Sequence, residues 1–205
     1  MSTRFSKLLL ATGNAGKVRE LSRLLADLEI EVLGLKEVAP SLEVVEDRDS
    51  FLGNATKKAR EWARATGLAT LADDSGLEVD ALGGAPGIHS ARYAGPDATD
   101  AENNAKLLAA LADVPDAERT ARFRCALVLV DAEGEVLHHT DGRCEGRILR
   151  APRGEGGFGY DPLFWPTEAP GRTMAELTMD EKNAISHRGR AFSRLPELLG
   201  RLPAR

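Results

Sequence analysis

The sequence has few aromatic residues, only two cysteines, no basic surplus and no long apolar run, and each shortage excludes something. Phe, Trp and Tyr supply 5% of the 205 residues, so the core must be built mainly from Leu, Val, Ile and Ala. Cys125 and Cys144 lack the CxxC spacing of a zinc or redox site, and buried free thiols are expected. No stretch approaches the roughly 20 apolar residues that cross a bilayer. The run Leu8-Leu9-Leu10-Ala11 is too short for the apolar region of a signal peptide. The chain therefore reads as cytoplasmic, with no membrane partner. Its net charge is −5, whereas a nucleic-acid binder normally carries a cationic surplus to neutralise phosphates. Nucleic acid is not expected as a partner, but a small anionic ligand is compatible if positive groups converge locally.

What is present is 42% hydrophobic and 29% charged residues, enough to bury a core. Residues 1–205 read as a single domain, with room for two lobes. The Lys7–Thr12 segment reads as a short buried strand ended by Gly13 and Asn14. After it, Val18, Leu21, Leu24, Leu25 and Leu28 repeat at helical spacing. A second helix is expected over Phe51–Thr66, with Ala55, Ala59, Trp62 and Ala63 on one face and Gly67 as its stop. The Leu68–Asp73 segment reads as a strand, and Gly76–Gly95 as mostly loop. Thr99 and Glu102 form a capping box for a helix through Leu107, Leu108 and Leu111. The strand Arg122–Val130 places Phe123, Cys125, Leu127 and Leu129 on one face. Gly134 sits in a hairpin turn, and Val136–Thr140 is the return strand. A helical region follows through Ala184, Ile185, Phe192 and Leu195, where Pro196 should kink or restart it. The fold class is α/β with a mixed sheet.

Four stretches could carry chemistry. Thr12-Gly13-Asn14-Ala15-Gly16-Lys17 lies between a strand and a helix, where backbone N–H groups and the helix dipole favour an anion. It is not a Walker A loop, because the spacer is missing and Val18 stands where Ser or Thr would hold a metal. Any metal ligands must then be acidic residues elsewhere; an ordinary turn with a surface lysine is the plain alternative. Asp73-Asp74-Ser75-Gly76 ends an apolar strand. Neighbouring strand side chains point to opposite faces, so both carboxylates serve one site only if the strand ends between them, and Gly76 suggests an end nearby. One aspartate could bind Mg²⁺ or activate water, or the pair could form a solvated turn. Glu46, within the acidic run Glu43–Asp49, could reach the same metal, although charge runs are usually solvated loops. Lys57 and Lys58 read as surface lysines.

Gly156-Gly157-Phe158-Gly159-Tyr160-Asp161-Pro162 leaves room for a flat ligand to stack on an aromatic ring, with Asp161 as an acceptor. A tight turn with its aromatics in the core is the alternative. In the stretch Lys182–Arg188, Lys182, His187 and Arg188 gather donors suited to a ligand carbonyl. His138-His139 has no matching third ligand and is not read as a zinc site.

Together these pieces resemble the inosine/xanthosine triphosphate pyrophosphatase family. The resemblance rests on Thr12–Lys17, Phe51-Leu-Gly-Asn-Ala55, Ala72-Asp-Asp-Ser-Gly-Leu77 and Gly83–Tyr93. It continues through Gly156–Pro162, Ala175-Glu-Leu-Thr178 and Ser186-His-Arg-Gly189, in order along nearly the whole chain. It implies an elongated α/β fold of two lobes, with a long mixed sheet flanked by helices and the active site in a cleft between the lobes. A homodimer and an Mg²⁺-dependent hydrolysis of purine nucleoside triphosphates to monophosphate and pyrophosphate are also implied. By likeness, Thr12, Gly13, Asn14, Ala15, Gly16 and Lys17 hold the triphosphate, assisted by Ser75. Asp74 is the general base or metal carboxylate, Glu46 a second metal ligand, and Lys17 steadies the leaving pyrophosphate. Phe158 stacks on the base, while Gly159, Tyr160, Asp161, Lys182, His187 and Arg188 line its pocket. The sequence departs from the pattern at Gly53, where the family commonly carries glutamate. That change leaves open a nucleotide sensor without hydrolysis, and an enzyme for other modified nucleotides is a further alternative.

Overall fold

The structure is a computed structural model that describes residues 5–13, 18, 22, 25–28, 30–38 and 42–201. Asn14, Ala15, Gly16 and Lys17, and most of the helix expected after them, lie outside the described residues. One mixed α/β sheet carries the fold, with strand order β2-β1-β3-β4-β5-β6. The strands are β1 Lys7–Leu10, β2 Glu31–Gly34, β3 Thr70–Val79, β4 Thr120–Val130, β5 Val136–Ile148 and β6 Phe164–Pro166. β1 pairs in parallel with β2 and β3, whereas β5 and β6 are antiparallel. The helices are α1 Leu35–Val38, α2 Phe51–Thr66, α3 Asp100–Ala110, α4 Met179–Ile185, α5 His187–Ser193 and α6 Leu195–Arg201.

The chain divides into two compact units. The first comprises residues 1–74, 126–141 and 191–205, and the second residues 75–125 and 142–190. Each has its own apolar core. In the first, Leu9, Ala72, Val128 and Val130 pack with Ala55, Ala59, Trp62 and Ala63 of α2. In the second, Leu77, Val79, Phe123, Cys144 and Ile148 pack with Leu107, Leu111, Leu163 and Phe164. The buried positions of α2 follow helical spacing, so its alanines let the helix lie close to the strands. Ser50 caps α2 by accepting from the Gly53 amide, and Gly67 ends it at φ 67°, a left-handed conformation that suits glycine. Both cysteines are buried free thiols.

Arg119 is almost fully buried. Its guanidinium donates to the carbonyls of Ile148, Leu111 and Leu149 at 2.9, 2.6 and 2.9 Å. One side chain thereby ties the end of α3 to the exit of β5.

One expectation changes. β3 does not end near Gly76 but continues to Val79, with Leu77 and Val79 fully buried. The reason is its central place between β1 and β4, where ladder partners and apolar neighbours carry the strand past a glycine. Asp73 and Asp74 therefore occupy consecutive positions of a continuous strand, and their side chains leave opposite faces. Val136–Thr140 is likewise only the start of β5, which runs on to Ile148.

Candidate active site

In the first unit, polar chemistry collects where α2 faces β3. Asn54 and Lys58 are one turn apart on α2, on the side that also buries Ala55 and Ala59. Asn54 is fully buried. Its amide oxygen accepts from the Arg48 backbone N–H at 2.9 Å, and its amide nitrogen donates to Asp74 Oδ2 at 3.1 Å. The backbone contact fixes which way the amide faces, because an N–H can only be met by the oxygen. Asp74 thus accepts from a donor whose orientation is fixed by the backbone.

Lys58 Nζ donates to the Asp73 carbonyl at 3.1 Å and pairs with Glu46. Glu46 is held in place from both sides, since Lys57 bonds the Val45 carbonyl at 2.7 Å and Asp47 at 2.9 Å. That hydrogen bond from Lys57 holds the Asp47 carboxyl below its usual range. Both Glu46 and Asp74 present hard oxygen donors suited to Mg²⁺. Among the described residues no three His, Cys, Asp or Glu side chains gather into a metal cage. Mg²⁺ bound through one or two carboxylates and substrate phosphates needs no such cage, so the donor set fits.

Ser75 begins the second unit, which contains a pocket of about 160 Å³ lined by Ser75, Phe123, Phe158, Asp161, His187 and Arg188 among others. Phe158 is 51% exposed. Lys182 Nζ lies 4.7 Å and the Arg188 guanidinium 5.0 Å from its ring centre. An exposed ring with two cations over it offers an aromatic surface for a flat ligand beside two hydrogen-bond donors. Asp161, 3% exposed, accepts from the Phe158 amide at 2.9 Å and pairs with Lys182. Gly157 has φ 75°, and a side chain there would run into the Asp161 carboxylate; the glycine is needed on both counts.

Arg188 donates to Ser75 Oγ at 2.8 Å. His187 is buried and stacks on Phe123, with ring centres 4.9 Å apart. Tyr160 donates to the Ser90 carbonyl at 2.8 Å, and burial pushes its phenol pKa up, so it stays a neutral donor. The turn into α5 depends on Ser186, whose hydroxyl accepts from the Gly189 amide at 3.0 Å. Gly189 in turn leaves room for the Asn183 carbonyl.

The profile of the Ham1 family matches residues 8–198. The chain belongs to the Ham1 family. It is 53% identical over 196 residues to the dITP/XTP pyrophosphatase of Desulforamulus reducens, covering 96% of each chain. A solved structure of a HAM1 protein from Coxiella burnetii matches with TM-score 0.88 at 45% identity, covering 96% of this chain and 99% of that one. A nucleoside-triphosphatase / dITP/XTP pyrophosphatase structure from Mycobacterium abscessus matches with TM-score 0.78 at 50% identity, covering 92% and 98%.

Against this Ham1 background the expected site residues sort into two groups. Glu46 and Asp74 fall together around α2 in the first unit. Phe158, Gly159, Tyr160, Asp161, His187 and Arg188 line the pocket of the second, and Lys182 reaches it through Asp161 and Phe158. Ser75, expected to assist the triphosphate, lines that pocket and accepts from Arg188. Of the triphosphate loop, Thr12 and Gly13 follow β1, and the Thr12 carbonyl accepts from the Leu35 amide at 3.3 Å.

Two residues of this Ham1 chain were not assigned from the sequence. Asn54 and Lys58 both turn inward, and their spacing of four along an alanine-lined helix face was the available signal. The Gly53 departure also takes on a different meaning. A side chain at 53 would point at Arg48 Cβ, 2.9 Å away, and Ser50 Oγ, 3.0 Å away. Position 53 is the third residue of the helix, where Glu102, Glu176 and Glu181 complete capping boxes elsewhere in this chain. Its glycine costs α2 half of a cap.

Proposed function

We propose that this chain hydrolyses deaminated purine nucleoside triphosphates, those of inosine and xanthosine in ribose or deoxyribose form, to the monophosphate and pyrophosphate. The observation that carries the reading is the exposed Phe158 ring flanked by Lys182 and Arg188 above the anchored Asp161. Lysine and arginine can only donate, so they match a 6-keto oxygen and leave an adenine amino group unmatched. An unpaired buried donor costs about 1–3 kcal/mol, or about 5- to 150-fold in selectivity. The relatives' printed activity supports the same assignment.

In this reading water attacks the α-phosphorus, the bond from that phosphorus to the α,β-bridging oxygen breaks, and pyrophosphate departs with the electron pair. Asp74, oriented by Asn54, takes the proton of the attacking water or serves as metal carboxylate. Lys58 and Lys17 neutralise charge on the triphosphate, with Thr12 and the loop after it as its cradle. Glu46 and Asp74 would hold Mg²⁺, which would supply charge neutralisation and lower the pKa of a bound water. The active form is a homodimer working in the cytoplasm, where it clears these nucleotides from the pool.

The test is a panel of inosine, xanthosine, guanosine, adenosine and thymidine triphosphates, read by pyrophosphate release with and without Mg²⁺. Inosine and xanthosine substrates should exceed adenosine by at least about tenfold in kcat/KM. Equal turnover across the panel overturns the reading. In ¹⁸O-water the label should enter the monophosphate; label in pyrophosphate excludes attack at the α position. Sedimentation equilibrium checks the dimer.

A further inference from the structure

The first turns of α3 grip the loop that carries Phe158. Asp100 Oδ2 accepts from the Gly159 amide at 2.6 Å, and the Asn104 amide nitrogen donates to the Gly159 carbonyl at 2.9 Å. Asp100 and Asn104 are one helical turn apart, so they lie on the same side of α3. They hold both polar groups of the residue that follows Phe158. Gly159 itself sits at φ 61°, a left-handed conformation that glycine adopts without steric cost but shares with many others in a free chain, so the two bonds select it.

The helix is well founded for this task. Thr99 and Glu102 complete a capping box at its start. Buried Asn103 accepts from the Ala94 amide at 2.8 Å and donates to the Ala91 carbonyl at 3.1 Å. The segment around Ser90, which holds Tyr160, is thereby locked to the same helix. The Phe158 amide is fixed on its other side by Asp161. The backbone bonds on both sides of the exposed ring are therefore set, one by the Asp161–Lys182 pair and the other by α3.

We infer that Asp100, which also lines the pocket, and Asn104 are positioning residues for base recognition, setting the Phe158 platform through their bonds to Gly159. Asp100 acts as a hydrogen-bond acceptor for a backbone amide, and its charge is not needed for that. This rests on the reading of the pocket as the base site. A loosened Gly159 lets the ring tilt, weakening base binding while the handling of the triphosphate is unaffected.

The experiment compares Asp100→Ala, Asp100→Asn and Asn104→Ala with the parent enzyme in Mg²⁺. The substrates are inosine triphosphate and ribose 5-triphosphate, which lacks a base. In Asp100→Ala the preference for the nucleotide should fall about tenfold, the worth of one hydrogen bond, and the loss should appear in KM rather than kcat. Asp100→Asn should keep the preference within about twofold, because its amide oxygen still accepts from Gly159. Asn104→Ala, away from the helix cap, should lose part of the preference and keep the parent thermal transition. If Asp100→Asn fails as badly as Asp100→Ala, the carboxylate charge is what matters and the positioning role is wrong. An unchanged preference in Asp100→Ala, or a loss confined to kcat, also overturns it. If the parent enzyme itself shows no preference for the nucleotide, the base-site reading falls, and this inference with it.

Discussion

Replacing Asn54 with aspartate tests how Asp74 is prepared for its task. The substitution keeps the shape and the oxygen that accepts from the Arg48 amide. It replaces only the donor to Asp74, which sits at 3.1 Å, with a second carboxylate oxygen. Losing a hydrogen bond to a charged group removes about 1.5–3 kcal/mol. Two carboxylates at that separation repel each other, which favours a proton shared between them. Either effect lowers the carboxylate character of Asp74, and kcat/KM for inosine triphosphate should fall about 10- to 150-fold at pH 7.5.

The pH dependence of stability has a definite sign. The introduced carboxyl has a folded pKa raised above its unfolded value by its neighbour. Stability is then retained below the unfolded pKa and lost as pH rises through the folded one. Relative to the parent, Asn54→Asp should unfold at lower denaturant at pH 8 and approach the parent at pH 5. Pyrophosphate release gives the rate and urea titration at the two pH values gives the stability. A variant with kcat/KM within twofold of the parent at pH 7.5 refutes the argument that Asn54 orients Asp74.

Three further outcomes are expected. Arg119→Leu removes the donor to three carbonyls, of which Leu111's keeps the Val114 amide, and should destabilise the fold by about 2–5 kcal/mol in urea unfolding. A loss below 1 kcal/mol means that water replaces the guanidinium. Cys144 is pushed up to about 11 by burial. The native thiol should therefore resist a disulfide reagent at pH 8, and its contribution to stability should fade as pH rises through the folded value. Rapid native labelling at pH 8 contradicts this. Gly53→Ala should gain less than the ~1 kcal/mol that helix propensity offers, because its Cβ meets Arg48 Cβ. More of the gain should appear in an Arg48→Gly background, where only the Ser50 Oγ contact remains, and additive effects in a double-mutant cycle argue against the Arg48 contact.

Local signals carried much of the architecture. Helix α2 begins and ends where the Phe51 start and the Gly67 stop place it, because a cap and a left-handed glycine act within a few residues. The Thr99–Glu102 box is present as expected, and the chain restarts a helix at Leu195, just ahead of Pro196. β3 was misjudged at its far end, because a glycine's local tendency to break a strand yields to pairing on both sides in the sheet's interior. Lys58 was passed over for a similar reason: a lysine on a helix is usually solvated, and only the position of Glu46 and the Asp73 carbonyl turns it inward.

The order of motifs along the chain was enough to identify the family and the kind of fold, and to nominate candidate site residues. Which of them meet was decided by folding alone. Arg188 reaches Ser75 across 113 positions, Asp100 holds Gly159 across 59, and Asn54 turns to Asp74 across 20. Caps, turns and periodic faces are read from neighbours a few residues away, since their hydrogen bonds close within one turn. Contacts between distant segments depend on how strands pair and helices pack, and no short stretch of sequence encodes that pairing.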